Sequence, residues 1–190
     1  EAKTKSKMRT FIAIELPEHV RARIFHEFEN LNRKGIFTGN LVEKDSLHLT
    51  LSFLADVTEE KIKEVVKELR TIKFDKFDCS VGKVGCFPGK ERIKVIWVEL
   101  VSENESIKKL YEKVNKIIEP LIGRKEEREF TSHITTSRIK FVKNREKFVD
   151  QLEKIHFKKL DFKVEDFSLI KSELTKQGPI YRVIEKFKLS

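Results

Sequence analysis

The period of the hydrophobic pattern changes repeatedly along the chain, and each change predicts an element. Arg9 to Leu16 is β-rich and alternates weakly, as a strand does. Pro17 follows at a first helical position, where its missing N–H costs nothing. Val20, Ile24, Phe28 and Leu31 then recur at helical spacing, one apolar face that closes near Gly35. His48 to Leu54 predicts a second strand, and Thr58 caps a helix whose inner stripe is Ile62, Val65, Val66 and Leu69. Phe74 to Phe87 and Arg92 to Val101 predict two strands around a Pro88-Gly89 turn. Ser102 and Glu105 form a capping-box pattern before a helix carrying Ile107, Leu110, Tyr111, Val114, Ile117, Ile118 and Leu121. Thr131 to Arg138 predicts a strand, and Asn144 caps a short helix with Phe148, Val149 and Leu152 inward. The chain closes on strands at Phe157 to Val164, Phe167 to Leu174 and Ile180 to Leu189, the last two joined through Gln177-Gly178-Pro179. Strands and helices mix without regular βαβ spacing, which predicts an α+β fold with mainly antiparallel sheets.

Composition narrows the class. The chain has 190 residues, enough to bury roughly 70% of the surface an unfolded chain exposes. It is 37% charged, yet 39% hydrophobic with 15 Phe, so it packs a core rather than staying disordered. Forty Lys and Arg against 31 Asp and Glu leave a formal +9. That balance favours polyanions, although a Lys/Glu-rich surface with one Met and two Cys also has the composition of a thermophile protein. Met8 reads as a native start, which makes residues 1–7 a disordered leader or expression remnant and 8–190 one compact domain. Without the leader the charge is +7, so the basic bias survives. No apolar run approaches the roughly 20 residues of a bilayer span, and no signal-peptide pattern is present. Cys79 and Cys86 match no zinc or redox spacing and read as reduced thiols of a cytoplasmic protein.

The chemistry lies in a repeated pattern. Ser46-Leu47-His48-Leu49-Thr50-Leu51 is echoed by Thr131-Ser132-His133-Ile134-Thr135-Thr136. With period two, each strand puts an imidazole and a hydroxyl on one face and apolar residues on the other. A single such His is most simply a hydrogen-bonded structural residue, and His19, His26 and His156 read that way. Two in matching context point to acid–base catalysis, since one imidazole can accept a proton while the other donates. Flanking a phosphorus, such a pair suits in-line displacement, with Thr hydroxyls and an Arg on the phosphate oxygens. No carboxylate or Cys stands at ligand spacing from either His, so no metal and no cofactor is expected.

With these motifs the chain resembles the two-histidine phosphoesterases, specifically the archaeal and bacterial RNA 2′,3′-cyclic phosphodiesterases, also called 2′-5′ RNA ligases. The resemblance runs from Met8 to the C-terminus, through Arg9-Thr10-Phe11-Ile12-Ala13-Ile14, His48 to Leu54, His133 to Arg138, Ser172-Glu173-Leu174 and Gly178-Pro179-Ile180-Tyr181. It implies two pseudo-symmetric lobes, each a mainly antiparallel sheet with outer helices, flanking a central cleft. It also implies hydrolysis of a terminal 2′,3′-cyclic phosphate to a 2′-phosphomonoester, without metal. In its terms His48 is the acid, His133 the base, and Thr50, Thr135 and Arg138 bind phosphate oxygens. The alternatives are the reverse reaction, joining RNA ends such as tRNA halves, and a non-catalytic RNA-binding module.

Two departures from the family pattern matter. Thr136 stands where an apolar residue is usual. Arg138 lies five residues after His133, so strict alternation turns it away from the site unless the strand ends or bulges near Ser137. Lys90, Arg92 and Lys94, then Lys140, Lys143, Arg145 and Lys147, then Lys158 and Lys159, are candidates for a groove that tracks an RNA backbone, although each taken singly reads as an ordinary solvated face with Glu interleaved. Phe11 and Phe53 are expected in the core. The protein is expected to act as a monomer on RNA ends, away from membranes.

Overall fold

The computed structural model describes residues 6–190. Residues 1–5 of the expected leader lie outside the described residues, whereas Lys7 is already in the first strand, opposite Thr58. In chain order the elements are β1 (Lys7–Glu15), α1 (Glu18–Arg33), β2 (Phe37–Leu41), β3 (His48–Thr58), α2 (Glu59–Leu69), β4 (Phe77–Gly89) and β5 (Arg92–Ser102). They continue with α3 (Ser106–Ile122), β6 (His133–Val142), α4 (Arg145–Glu153), β7 (Asp161–Val164), β8 (Asp166–Thr175) and β9 (Gly178–Lys188). Thr58 and Asn144 cap their helices as expected, accepting from the Lys61 and Lys147 amides. Strand β2 escaped the pattern because Thr-Gly-Asn interrupts its five residues. The Ser102–Glu105 capping box does not form. A 3-10 turn intervenes, Asn104 and Glu105 are left-handed, and the Ser102 hydroxyl instead accepts from the Ile107 amide at 3.0 Å.

The strands pair throughout in antiparallel sense, in the order β7-β4-β5-β6-β3-β1-β8-β9, with β2 also paired to β6. The same unit occurs twice: β1-α1-β3-α2-β4, then β5-α3-β6-α4-β8. The last strand of each unit crosses to the other, β4 pairing with β5 and β8 with β1. The two expected lobes are therefore interlocked halves. The motif strands β3 and β6 meet at the centre through a single register pair, Leu49 opposite Ile134.

One face of the strands packs on the helices. Val20, Ile24, Phe28 and Leu31 of α1, and Leu110, Val114 and Ile118 of α3, join Ile12, Ile14, Leu49, Leu51, Ile96, Val98 and Ile134 in one core. Each such side chain contributes about 1.5–3 kcal/mol by leaving water, which fixes the face each strand turns inward. The opposite face is left to form a cleft.

Candidate active site

Both motif strands carry one extra residue at the same place, and that defect builds the site. In β1–β3, Ile12 lies opposite Ser52 and Ala13 opposite Thr50, so Leu51 is unpaired. In β5–β6, Ile96 lies opposite Ser137 and Trp97 opposite Thr135, so Thr136 is unpaired. Each bulge falls three residues after its histidine and reverses the alternation. The fifth residue after each histidine, Phe53 in β3 and Arg138 in β6, thereby returns to the cleft. Arg138 thus reaches the site through a bulge at Thr136, one residue before the expected position.

The bulges are held by buried polar partners. Asn115 of α3 donates through Nδ2 to the Leu51 carbonyl at 2.9 Å, and the Val42 amide donates to the Thr136 carbonyl at 2.9 Å. The Thr136 side chain is almost wholly buried, and its hydroxyl donates to the Ile96 carbonyl at 3.2 Å. A polar residue at this usually apolar position is thus satisfied within the sheet. Gly39 of β2 lets a neighbouring strand lie along this segment, because a Cβ there would strike the Arg138 carbonyl oxygen.

His48 and His133 are oriented alike. Each Nδ1 lies 2.7 Å from the carbonyl oxygen two residues earlier, of Ser46 and Thr131 respectively. A carbonyl only accepts, so Nδ1 carries the hydrogen and Nε2 is the atom available in the cleft. The His48 Nε2 is 3.0 Å from the Thr50 hydroxyl. Aromatic rings fix both imidazoles: Phe11 (4.8 Å) and Tyr181 (5.4 Å, edge-on) against His48, Phe87 (5.1 Å, edge-on) and Trp97 (6.2 Å) against His133. Burial pushes the His48 pKa below its ordinary 6.5, opposed by the hydrogen bond to Ser46 and the charge of Glu15, and assisted by His133. Burial likewise raises the Tyr181 phenol, with the Arg138 guanidinium opposing.

His48, Thr50, His133, Thr135 and Arg138 all line one cavity of about 1760 Å³. Phe11 is buried as expected, but Phe53 is 60% exposed and lines the same cavity. The signal that could have found it was its spacing, since Phe53 stands to His48 as Arg138 stands to His133. Of the basic stretches, only Lys94 faces this cavity. Lys90 and Arg145 pair with Glu153 and Glu91 instead. Both cysteines are free, and burial pushes the Cys79 thiol up to about 12.

Two histidines and two threonines, carried on equivalent strands of a repeated α+β unit and opening on one cleft, define a two-histidine phosphoesterase. Comparison with known proteins agrees at every level. The family model described as LigT like Phosphoesterase matches twice, over residues 14–97 and 98–181, and the chain belongs to that family. The RNA 2′,3′-cyclic phosphodiesterase of Methanocaldococcus jannaschii is 37% identical, covering 95% of this chain and all of that one. The protein of the same name from Thermotoga maritima is 35% identical over 93% of both. The apo crystal structure of E. coli LigT shares the fold, with TM-score 0.77 and 23% identity over 97% of this chain and 99% of that one. The crystal structure of TT0787 of Thermus thermophilus gives TM-score 0.72 at 29% identity, covering 95% and 97%.

Proposed function

We propose that the protein hydrolyses 2′,3′-cyclic phosphodiesters at RNA ends to 2′-phosphomonoesters. The observation that carries this reading is the matched pair of imidazoles, each tied back through Nδ1 so that both Nε2 atoms serve one cleft. In the reaction His133 Nε2 takes a proton from a water that attacks phosphorus. The P–O3′ bond breaks, and His48 Nε2–H gives its proton to the departing O3′. Burial lowers the His48 pKa, so its donor role calls on the anionic phosphate bound beside it to restore the imidazolium. Thr50 and Thr135 hydroxyls hold non-bridging oxygens, and Arg138 offsets the charge gathering on them. Phe53, exposed in the same cavity and set against Phe11, offers a flat apolar surface to the terminal base.

Hydrolysis is favoured over end joining by the activity for which the relatives are named. Residues 8–190 act as one unit, a cytoplasmic monomer meeting RNA ends. No helix among the described residues is long and apolar enough to cross a membrane. The test is an oligoribonucleotide ending in a 2′,3′-cyclic phosphate, incubated in EDTA. The expected product carries a 2′-monophosphate, identified by phosphorus NMR. Loss of activity in EDTA, or a joined product with paired RNA ends, would overturn the metal-free hydrolytic reading.

A further inference from the structure

The cleft extends well beyond the two histidines. With the cyclic phosphate between them and the terminal base on Phe53, the 5′ oxygen of that nucleotide must lead the rest of the RNA out. Three walls offer a way. The last turn of α3 and the segment from it to β6 carry Arg124 and Arg128, but also Glu119, Glu126 and Glu129. Toward β2 and β5 the lining holds Glu43 as well as Lys94. The wall made by β1 and the β8–β9 hairpin contributes Arg9 and Lys176 to the lining, and no carboxylate. A polyanion is repelled least there.

The same wall has an apolar floor. Register puts Phe11 opposite Ile170 and Arg9 opposite Ser172, so Leu174, two residues further on, shares the cleft face. Pro179 lies opposite Leu174, and Tyr181 opposite Ser172, on that face of β9. Leu174 is 70% exposed, and it and Phe53 are the large exposed hydrophobics among the described residues that line the cavity. Arg9 is paired with Asp56 at 3.7 Å, whereas Lys176, in the tip of the hairpin, makes no ion pair with any described residue. An exposed apolar side chain next to an unpaired ammonium is the complement of a nucleobase and its phosphate.

Building on the phosphodiesterase reading, we propose that Leu174, Pro179 and Lys176 form a subsite for the penultimate nucleotide of the RNA. Its base lies on Leu174 and Pro179, and Lys176 meets the phosphate joining it to the terminal nucleotide. The occupant is thus an oligoribonucleotide of at least two residues, in preference to a cyclic mononucleotide.

The test compares kcat/KM for adenosine 2′,3′-cyclic phosphate and for the diadenosine ending in the same cyclic phosphate. Wild type, Leu174→Ser and Lys176→Glu are measured, with thermal unfolding as the control for folding. Wild type is expected to favour the dinucleotide by about tenfold, or about 1.4 kcal/mol. Each variant is expected to lose most of that preference while hydrolysing the mononucleotide as wild type does. Equal use of both substrates by wild type, or a preference that survives both substitutions, would overturn the subsite alone. Failure of wild type to hydrolyse either substrate would overturn the phosphodiesterase reading and the subsite with it.

Discussion

At the scale of single residues, the state of His48 is the sharpest quantity the fold sets. Its pKa is lowered chiefly by burial, while Glu15, opposite it across β1 and β3, pulls the other way. The native state therefore resists a proton that the unfolded chain accepts. Stability contributed by this group is lost as pH falls below about 6.5 and through the lowered native value. The His48 ring resonance should titrate below 6.5 in the free protein and move up when inorganic phosphate is bound. Glu15→Gln should move it further down, and an unshifted resonance in that variant would contradict the assigned field. Tyr181 touches His48 edge-on, and its hydroxyl has no hydrogen-bond partner among the described residues. Tyr181→Phe keeps that ring contact and should alter the pH profile less than Tyr181→Leu, which removes it. The histidines were legible in the sequence because His-x-Thr occurs twice at matching places. Tyr181 was seen only within a family-like segment, because its contact with His48 depends on a strand 133 residues away.

At the scale of elements, the two bulges decide which side chains face the cleft. Strict alternation turns Arg138 away, and only the unpaired Thr136 brings it back. The sequence named the condition, a bulge, but could not supply the partner strands that create it. Phe53 was misread for the same reason, since alternation alone did not register the bulge at Leu51. Gly39→Ala should displace the backbone at Arg138 and lower kcat/KM by more than it lowers the melting temperature in proportion. An unchanged kcat/KM would show that the close approach of β2 plays no part in placing the guanidinium. Ala55, just beyond Phe53, has φ of 60° at a second irregularity in β3. A left-handed residue with a Cβ costs about 1 kcal/mol, so Ala55→Gly should be neutral or stabilising and a β-branched residue destabilising by denaturant titration.

At the scale of the whole molecule, the repeated unit and the crossing of β4 and β8 explain why two matched sites face each other. The α+β class and most elements followed from periodicity, because apolar stripes survive any packing arrangement. The sheet order did not, since pairing between distant strands leaves no local trace. Net charge was the weakest guide. Many of the cations are held in surface ion pairs such as Arg23–Glu27, Lys61–Glu64 and Arg70–Glu185, and only some line the cleft. Added salt should accordingly weaken binding of RNA ends by a modest slope, set by the few cleft cations rather than by the full formal charge. The chemistry falls to two imidazoles acting as donor and acceptor across one cleft. The most direct measurement is single-turnover hydrolysis of a cyclic-ended oligoribonucleotide by His48→Ala, His133→Ala and the double variant, each checked for native folding by circular dichroism. Either single substitution should slow the reaction by about 10²–10⁴-fold, with the double variant little slower than the worse single one. Near wild-type turnover in either folded single variant would show that the imidazoles are not the donor and acceptor.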